Sequence, residues 1–400
     1  MRWGKLRLLT SNERRNCHIQ GLDLSLVNLG VFRMSSRFSV FAAVVAVSLA
    51  ALASTGTARA ADLPAKAKAK PVADLPFFLV IDDRVTFSWM PKGTDPGAFS
   101  VRPNGSINGK TAKSVYSFTH FDAWAYGTNF FTISMFKSDH NDPASPCTNA
   151  GVLITGAPAN CAGATEIYGL IRSTFGWNEI FNTHAFTMGP LHNISFEVGA
   201  DANSENTFLA PAKRDFVGGL QFAFDLPYKG YFNVAPLAYK EINHNGFDQC
   251  GVFGPGIPGV TCLADGNTDF KTTWAVETNY YMDLGFLPEN MQFFSISGRA
   301  AWYGPKGNQN APLGIASGGT ATKTEFNSEP IRLTFDASKA FAGPKYSHFV
   351  DVWVAYRYWQ NKFGLDHNNA PGVCTLAGPG TPSTNSCTES TVYTGITLKF

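Results

Sequence analysis

The sequence predicts an all-β protein: a closed antiparallel transmembrane β-barrel of about 12 strands, with short periplasmic turns and long extracellular loops. Three observations support this prediction. Stretches of about ten residues alternate apolar and polar side chains, and the connections between them alternate in length. The mature chain also lacks a run of about 18 apolar residues that would cross a membrane as a helix. The final stretch, "TVYTGITLKF", keeps the alternation up to Phe400.

Twelve stretches show this period-2 pattern, and an even number of strands can close a sheet so that no unpaired edge meets lipid. The short connections include 125–128, 227–230 and 287–290, whereas 91–112, 139–165 and 363–389 are long. This alternation is typical of a barrel with both termini in the periplasm. The stretches lie near residues 84–90, 113–124, 129–138, 166–176, 192–203, 213–225, 231–243, 270–283, 291–303, 323–337, 348–362 and 390–400.

The first 83 residues divide into three predicted segments that precede the barrel at 84–400. Residues 34–60 read as a signal peptide, because an uncharged apolar run follows Arg37 and the small-x-small sequence "ARA" ends at Ala60. A signal of ordinary length begins at Met34, so we interpret residues 1–33 as a non-structural N-terminal extension. A functional region before the signal is the alternative. Residues 61–83 are predicted to be a periplasmic N-terminal segment.

The net charge of +2 for the whole chain comes from the leader. Residues 1–60 hold eight Lys and Arg against Glu13 and Asp23, which leaves 24 basic and 28 acidic residues in the mature chain. Nucleic-acid binding would need a clustered basic face, and the mature sequence shows none. We therefore expect no nucleic-acid partner.

The cysteines indicate an oxidising compartment. Apart from Cys17 in the leader, six cysteines fall into three pairs that each enclose a Gly-, Pro- and Thr-rich stretch within a long loop. Six cysteines permit 15 connectivities, but the similar spacings favour three local disulfides. Metal binding is the alternative, and the absence of a CxxC pair argues against it. The predicted disulfides are Cys147–Cys161, Cys250–Cys262 and Cys374–Cys387.

Each predicted strand has one apolar and one charged face. In 192–203, for example, Ile194, Phe196 and Val198 alternate with Glu197 and Asp201. A secreted β-sandwich would not need charges along one whole face, so we expect the charged faces to line a wet lumen. The same charges have a plainer interpretation, which is that they pair across the lumen and keep it rigid. The candidate solute-contacting residues are Arg172, Glu197, Asp201, Glu277, Tyr281, Arg299, Arg332, Asp351, Trp353 and Arg357.

Aromatic residues near the strand ends are expected to form the girdles that flank the apolar belt of such barrels. An ordinary aromatic core is the alternative. The residues in question are Trp89, Trp124, Trp177, Tyr228, Tyr231 and Trp302.

Four stretches carry a family resemblance: "HFDAWAYGTNFFTISMF" at 120–136, "NISFEVGADANSEN" at 193–206, "YKGYFNVAPLAYKEINHNG" at 228–246 and the ending "TVYTGITLKF". They resemble the Tsx-type nucleoside-specific channels of the Gram-negative outer membrane. The resemblance extends over roughly residues 113–400 and implies a monomeric twelve-stranded barrel with a narrow lumen that binds nucleosides weakly. The cysteine-closed loops depart from the family pattern.

The sequence thus predicts a passive channel of the bacterial outer membrane for small hydrophilic solutes such as nucleosides, with outer-membrane lipid around it and no cofactor, metal or catalytic residue. A general diffusion porin and a surface adhesion or phage-docking barrel are the alternatives. A lipid hydrolase would need a Ser–His pair on one face, but Ser117 and Thr119 lie an odd number of residues from His120.

Three long loops begin alike, with "DHN" at 139–141, "NHN" at 243–245 and "DHN" at 366–368. A metal-binding rim built from all three is geometrically unfavourable, because positions a third of a turn apart on a twelve-stranded barrel lie roughly 20 Å from one another. We therefore interpret them as polar turn starters whose Asp and Asn side chains bind the local backbone.

Overall fold

The computed structural model describes residues 77–102, 104–145, 152–153, 161–207, 209, 211–251, 257–258, 262–306 and 323–400. Twelve long strands dominate this part of the chain. They are β1 (Phe78–Gly93), β2 (Thr111–Trp124), β3 (Gly127–Ser138), β4 (Thr165–Gly176), β5 (Leu191–Glu205), β6 (Ala212–Leu226), β7 (Gly230–His244), β8 (Thr273–Asp283), β9 (Phe294–Tyr303), β10 (Glu325–Asp336), β11 (Val350–Gln360) and β12 (Thr388–Lys399).

The twelve strands form a closed antiparallel barrel. Each strand pairs with its neighbours in chain order, and β12 returns to β1 with Arg84 opposite Lys399. The predicted fold class and strand positions are confirmed to within a few residues, but β1 begins at Phe78 and so includes the end of the segment predicted to precede the barrel. The predicted extension and signal peptide lie outside the described residues.

The two faces of the wall follow the sequence pattern. Outward side chains such as Phe216 and Val392 are each 56% exposed, whereas inward Glu197 and Asp215 are buried. A closed sheet satisfies its backbone hydrogen bonds internally and presents its apolar face to lipid. The protein is therefore a β-barrel of the bacterial outer membrane.

The aromatic side chains at the periplasmic end follow the predicted girdle with one exception. Trp124 packs against Phe175, with ring centroids 6.1 Å apart. Tyr231, however, lies on the inner face, where its ring stacks on that of Tyr281. It is inward because the odd-numbered residues of β7, including buried Ala235, face the lumen.

The periplasmic connections contain two short helices that the sequence analysis did not predict, α1 (Trp177–Ile180) and α2 (Ala337–Ala342). The Asp336 carboxylate caps α2 by accepting a hydrogen bond from the Lys339 amide. Within the described ranges, the helices are too short and too polar to cross a membrane.

The strand β10 contains an irregularity that Pro330 explains. The register with β11 shifts between Ser328 and Ile331. Proline cannot donate to the ladder, and a bulge accommodates the missing hydrogen bond.

The extracellular loops pack on one another. Leu209, between β5 and β6, and Val373, between β11 and β12, are both fully buried in one apolar cluster, although their loops leave the barrel half a turn apart. The loops therefore meet across the extracellular mouth. We call this cluster the loop core; its buried members are Ala98, Ala144, Leu209, Phe363, Leu365, Ala370, Val373, Cys374 and Cys387.

Two predicted disulfides are confirmed. Cys250–Cys262 and Cys374–Cys387 are bonded, and the second belongs to the loop core. The third pair stays a prediction, because Cys147 lies outside the described residues.

Candidate functional site

All ten predicted lumen residues lie on the inner face of the wall, as the alternation requires. They are not equivalent, however. Most of them bind one another or a neighbouring inward residue, whereas Arg299 is exposed to the lumen. Arg172 and Glu277 pair across the lumen, whereas pairs such as Arg332–Glu329 and Arg357–Glu389 join residues on the same strand or on neighbouring strands.

Arg172 on β4 lies within 4 Å of three acidic side chains, those of Glu197, Asp201 and Glu277. Its Nε donates to Glu277 Oε2 at 2.9 Å, and its Nη2 donates to Oε1 of the same carboxylate at 2.7 Å. Nη1 donates to Asp201 Oδ1 at 2.5 Å, and Glu197 Oε1 lies 3.9 Å from Nε. A two-point arginine–carboxylate pair fixes both side chains in position.

This contact crosses the lumen, because Arg172 is on β4 and Glu277 is on β8, four strands away. On a circular twelve-stranded barrel the two backbones would lie roughly 20 Å apart, which is too far for an arginine and a glutamate to meet. The barrel is therefore narrowed at this level. Two further inward contacts also join strands four apart: Lys213 with Glu325 at 3.6 Å, and the Arg357 guanidinium over the Phe136 ring at 5.3 Å.

A second ionic layer lies nearer the extracellular side, and the sequence analysis did not single it out. Lys306 pairs with Glu241 and, at 2.7 Å, with Glu325; Lys213 lies 3.3 Å from Asp215. Strand parity places Asp215 and Glu241 on the inner face, and this signal was available from the sequence. Their partner Lys306 lies in the loop after β9, where no periodic pattern indicates which way its side chain points.

Arg332 and Trp353 form an aromatic group on the inner wall. The Arg332 guanidinium lies 3.9 Å from the Trp353 ring centroid, and its Nε donates to Glu329 at 2.7 Å. Tyr393 donates to the same carboxylate. Trp353 is only 4% exposed, so a solute reaches its ring only if Arg332 moves away.

Arg299 differs from the other inward arginines. It is exposed, and it forms no ion pair among the residues that the structure describes. Its register neighbours are Asn279 on β8 and Glu329 on β10. The lumen therefore holds an accessible positive charge close to the Arg172 contact.

Tyr281 lies toward the periplasmic end of the inner wall. Its ring stacks on Tyr231, with centroids 6.2 Å apart, and Tyr231 is 44% exposed. The Tyr281 hydroxyl donates to Asp283 at 2.6 Å. These two rings are accessible flat surfaces inside the barrel.

Asp351 belongs to a group that resembles a metal site. Ligand atoms of Asp336, His348 and Asp351 lie within 4.8 Å of one another. The Asp336 carboxylate already has hydrogen-bond partners, because it accepts from the backbone amides of Lys339 and His348. The hydrogen bond with Asp351 raises the pKa of His348. This group therefore fits a structural ion pair at the periplasmic turn.

Near the loop core, Lys362 is half-buried, and its ammonium group lies 4.7 Å from the centroid of the Trp359 ring. Burial lowers the pKa of its ammonium to about 8, and the nearby Arg357 guanidinium acts in the same direction. An ammonium group with a pKa of about 8 is still mostly protonated at neutral pH, so Lys362 adds positive charge near the extracellular end of the lumen.

The two remaining sequence hypotheses have clear outcomes. His120 faces outward and contacts Asp83 at 2.7 Å, whereas Ser117 faces inward and bonds Ser134 at 2.8 Å, so this serine and histidine do not pair. Two of the three loop openings act as turn starters, whereas in the third Asn243 lies in β7 and its side-chain amide donates to the Glu241 carboxylate. Asp139 accepts from the Asn141 amide, and Asp366 accepts from the Asn368 amide.

No protein-family model matches the sequence, and no curated protein matches it. Solved structures with a similar barrel include an outer-membrane channel of Pseudomonas putida, with a TM-score of 0.38 and 9% identity over 84% of this chain and 100% of that one. They also include a mutant of the monoaromatic hydrocarbon channel TodX, with a TM-score of 0.34 and 8% identity over 81% of this chain and 91% of that one. An anion-selective porin from Comamonas acidovorans has a TM-score of 0.25 and 8% identity, over 80% of this chain and 98% of that one. Scores this low do not identify a family or a solute.

Proposed function

We propose that this protein is a passive outer-membrane channel for small hydrophilic solutes, with nucleosides as the preferred class. The observation that carries the proposal is the inner wall, which bears charged and polar side chains at several levels and is narrowed where Arg172 meets Glu277. A wet, narrow lumen suits small polar molecules, since wide aqueous channels need about 16 strands or more.

The periplasmic half of the lumen supports nucleosides in particular. A base can stack on the exposed ring of Tyr231, and base–aromatic stacking contributes about 1–3 kcal/mol. Asn233 and Asn279 lie side by side with a 3.1 Å hydrogen bond, and such amides bind sugar hydroxyls. The resemblance to Tsx-type channels points to the same solutes. Weak contacts of this kind let the solute leave again, as transport requires.

The loop core bears on how solutes reach the lumen. Since loops from opposite sides of the barrel meet across the extracellular mouth, we expect solutes to pass at the rim of this cluster or after it moves. We also expect each barrel to act as a monomer.

Single-channel recording in planar bilayers tests the proposal. We expect adenosine or uridine at millimolar concentration to reduce the ionic current in a saturable way, and ribose to have little effect. Tyr231→Ala should weaken the nucleoside effect about tenfold, because it removes a stacking surface. Tyr228→Ala is the matched control, since Tyr228 lies in the short β6–β7 turn beside Phe286.

Two outcomes would separate the alternatives. Equal and unsaturable passage of nucleosides and ribose would indicate a general diffusion porin. An absence of ionic current even after the loop disulfides are reduced would contradict a channel altogether and favour a surface-binding barrel.

A further inference from the structure

Two inward side chains flank the Arg172–Glu277 ion pair, one at each end. Phe130 on β3 lies directly opposite Arg172 in the β3–β4 ladder. Arg299 on β9 is a diagonal neighbour of Glu277, because Ala301, two residues further along β9, lies opposite Glu277. On one face of a sheet, opposite residues have Cβ atoms about 5 Å apart and diagonal residues lie at most about 8 Å apart. Phe130 is therefore beside one end of the ion pair, and Arg299 is beside the other.

The ion pair divides the lumen into two compartments. It joins β4 to β8, so β5–β7 lie on one side of it, whereas β9–β12 and β1–β3 lie on the other. The β5–β7 side is filled, since inward Val217, Ala235 and Leu237 are buried in one apolar cluster. On the other side, inward Phe130 is 37% exposed and Arg299 is also exposed. A solute that reaches this level therefore meets Phe130 and Arg299.

Both side chains have groups available for a solute. Arg299 makes no hydrogen bond or ion pair within the described part of the chain, and a guanidinium donates several hydrogen bonds in one plane but accepts none. The exposed Phe130 ring offers a flat apolar surface. Together they suit a planar molecule that has hydrogen-bond acceptors along one edge.

The charges nearby favour a neutral solute. Three carboxylates surround the single Arg172 guanidinium, so the wall beside Arg299 carries an excess of negative charge that opposes an anion. A neutral ring with acceptor atoms can use the Arg299 donors without this repulsion. The three carboxylates are those of Glu197, Asp201 and Glu277.

On the basis of the nucleoside channel proposed above, we propose that Phe130 and Arg299 form a binding position for the base of a 6-oxopurine nucleoside, such as inosine or guanosine. The O6 and N7 atoms of such a base are adjacent acceptors, which match two N–H groups of an arginine. Adenine has an amino group in place of O6, so that a donor would face the Arg299 donors. Phe130 stacks on the flat ring of either base.

The test compares inosine with adenosine, which differ only in the group at position 6 of the purine. In planar-bilayer recordings of the mature barrel, inosine should halve the current at about one-tenth of the adenosine concentration that does so. Arg299→Gln should make the two half-blocking concentrations equal. Arg299→Lys should also remove the preference, because lysine keeps the charge but lacks the planar two-point donor. Unlike Arg299→Gln, it should leave the ion selectivity unchanged.

A second variant tests the stacking surface. Phe130→Ala should raise the half-blocking concentrations of both nucleosides about tenfold, because it removes a ring on which either base stacks. Phe131→Ala is the matched control, since Phe131 is the next residue of β3, has a similar exposure of 36% and faces lipid. It should leave both half-blocking concentrations unchanged.

Three outcomes would count against the site. Equal half-blocking concentrations of inosine and adenosine in the wild type would overturn the base assignment and leave the nucleoside channel intact. A preference for inosine that persists in Arg299→Gln would show that Arg299 does not read the base. The absence of a saturable block by either nucleoside would contradict the proposed function itself.

Discussion

The side chain of Arg172 on β4 reaches across the lumen and binds both oxygens of Glu277 on β8, at 2.9 and 2.7 Å. Arg172 is 9% exposed, so little of the pair remains in contact with water. On a circular barrel, strands four apart would be too distant for this contact. The ion pair therefore shows that the barrel is narrowed at this level.

Replacing Arg172 with Met is expected to destabilise the barrel by about 3–5 kcal/mol. The change leaves the buried carboxylate of Asp201 and the half-buried carboxylate of Glu277 without their cation, which is the costly way to break such an ion pair. It also removes the group that crosses the lumen, so the single-channel conductance should rise. Urea unfolding in lipid vesicles measures the first effect, and planar-bilayer recording measures the second.

A double variant separates the pair from its surroundings. Arg172→Met combined with Glu277→Gln should be less destabilised than the sum of the two single changes, because the second change removes one of the unpaired charges. Strict additivity would show that the two side chains do not interact in the membrane.

Arg299→Gln is expected to shift the ion selectivity of the channel toward cations. Arg299 is an exposed, unpaired charge on the inner wall, at least among the described residues, so its removal changes the potential along the lumen. The reversal potential under a gradient of potassium chloride is the measurement. Lys229→Gln, in an exposed periplasmic turn, removes the same charge away from the lumen and should leave the selectivity unchanged.

Most of the fold could be predicted because strand periodicity is a local signal. The alternation of Phe196 and Val198 with Glu197 and Asp201 indicates both the strand and its two faces, and the structure agrees. The periplasmic helices escaped prediction, since a four-residue segment such as Trp177–Ile180 is too short to show a helical period.

The candidate site was only partly predictable. Parity places Arg172 and Arg299 on the inner face, but the sequence does not distinguish the buried, paired residue from the exposed one. That difference depends on which strands face each other across the lumen and on how far the barrel is flattened. The loop core is a similar case, because Leu209 and Val373 belong to one buried cluster although their loops show no regular pattern.

His348 is expected to make the periplasmic turn more stable at lower pH. The hydrogen bond with Asp351 raises the pKa of His348, so the charged form is favoured in the folded state. This contribution is fully present below the ordinary histidine pKa of about 6.5 and is lost as the pH rises through the raised value. Asp336, Tyr281 and Arg84 also face this group, and none of them is changed in the test.

The measurement is the unfolding free energy of the wild type and of His348→Gln between pH 6 and pH 8.5. The wild type should lose stability across this range, whereas the variant should lose less. Parallel pH profiles for the two proteins would exclude the His348–Asp351 pair as the source of the dependence.

Removing the Cys374–Cys387 disulfide is expected to loosen the extracellular loops. Both cysteines are buried in the loop core, and the 13-residue separation corresponds to about 3 kcal/mol in the loop-closure model. The double variant Cys374→Ser with Cys387→Ser should therefore show a larger or more variable single-channel current. Cys250→Ser with Cys262→Ser is the control, because it removes a disulfide with a separation of 12 that lies outside the loop core. If both double variants changed the current equally, the effect would come from general loop flexibility and not from the cluster that spans the mouth.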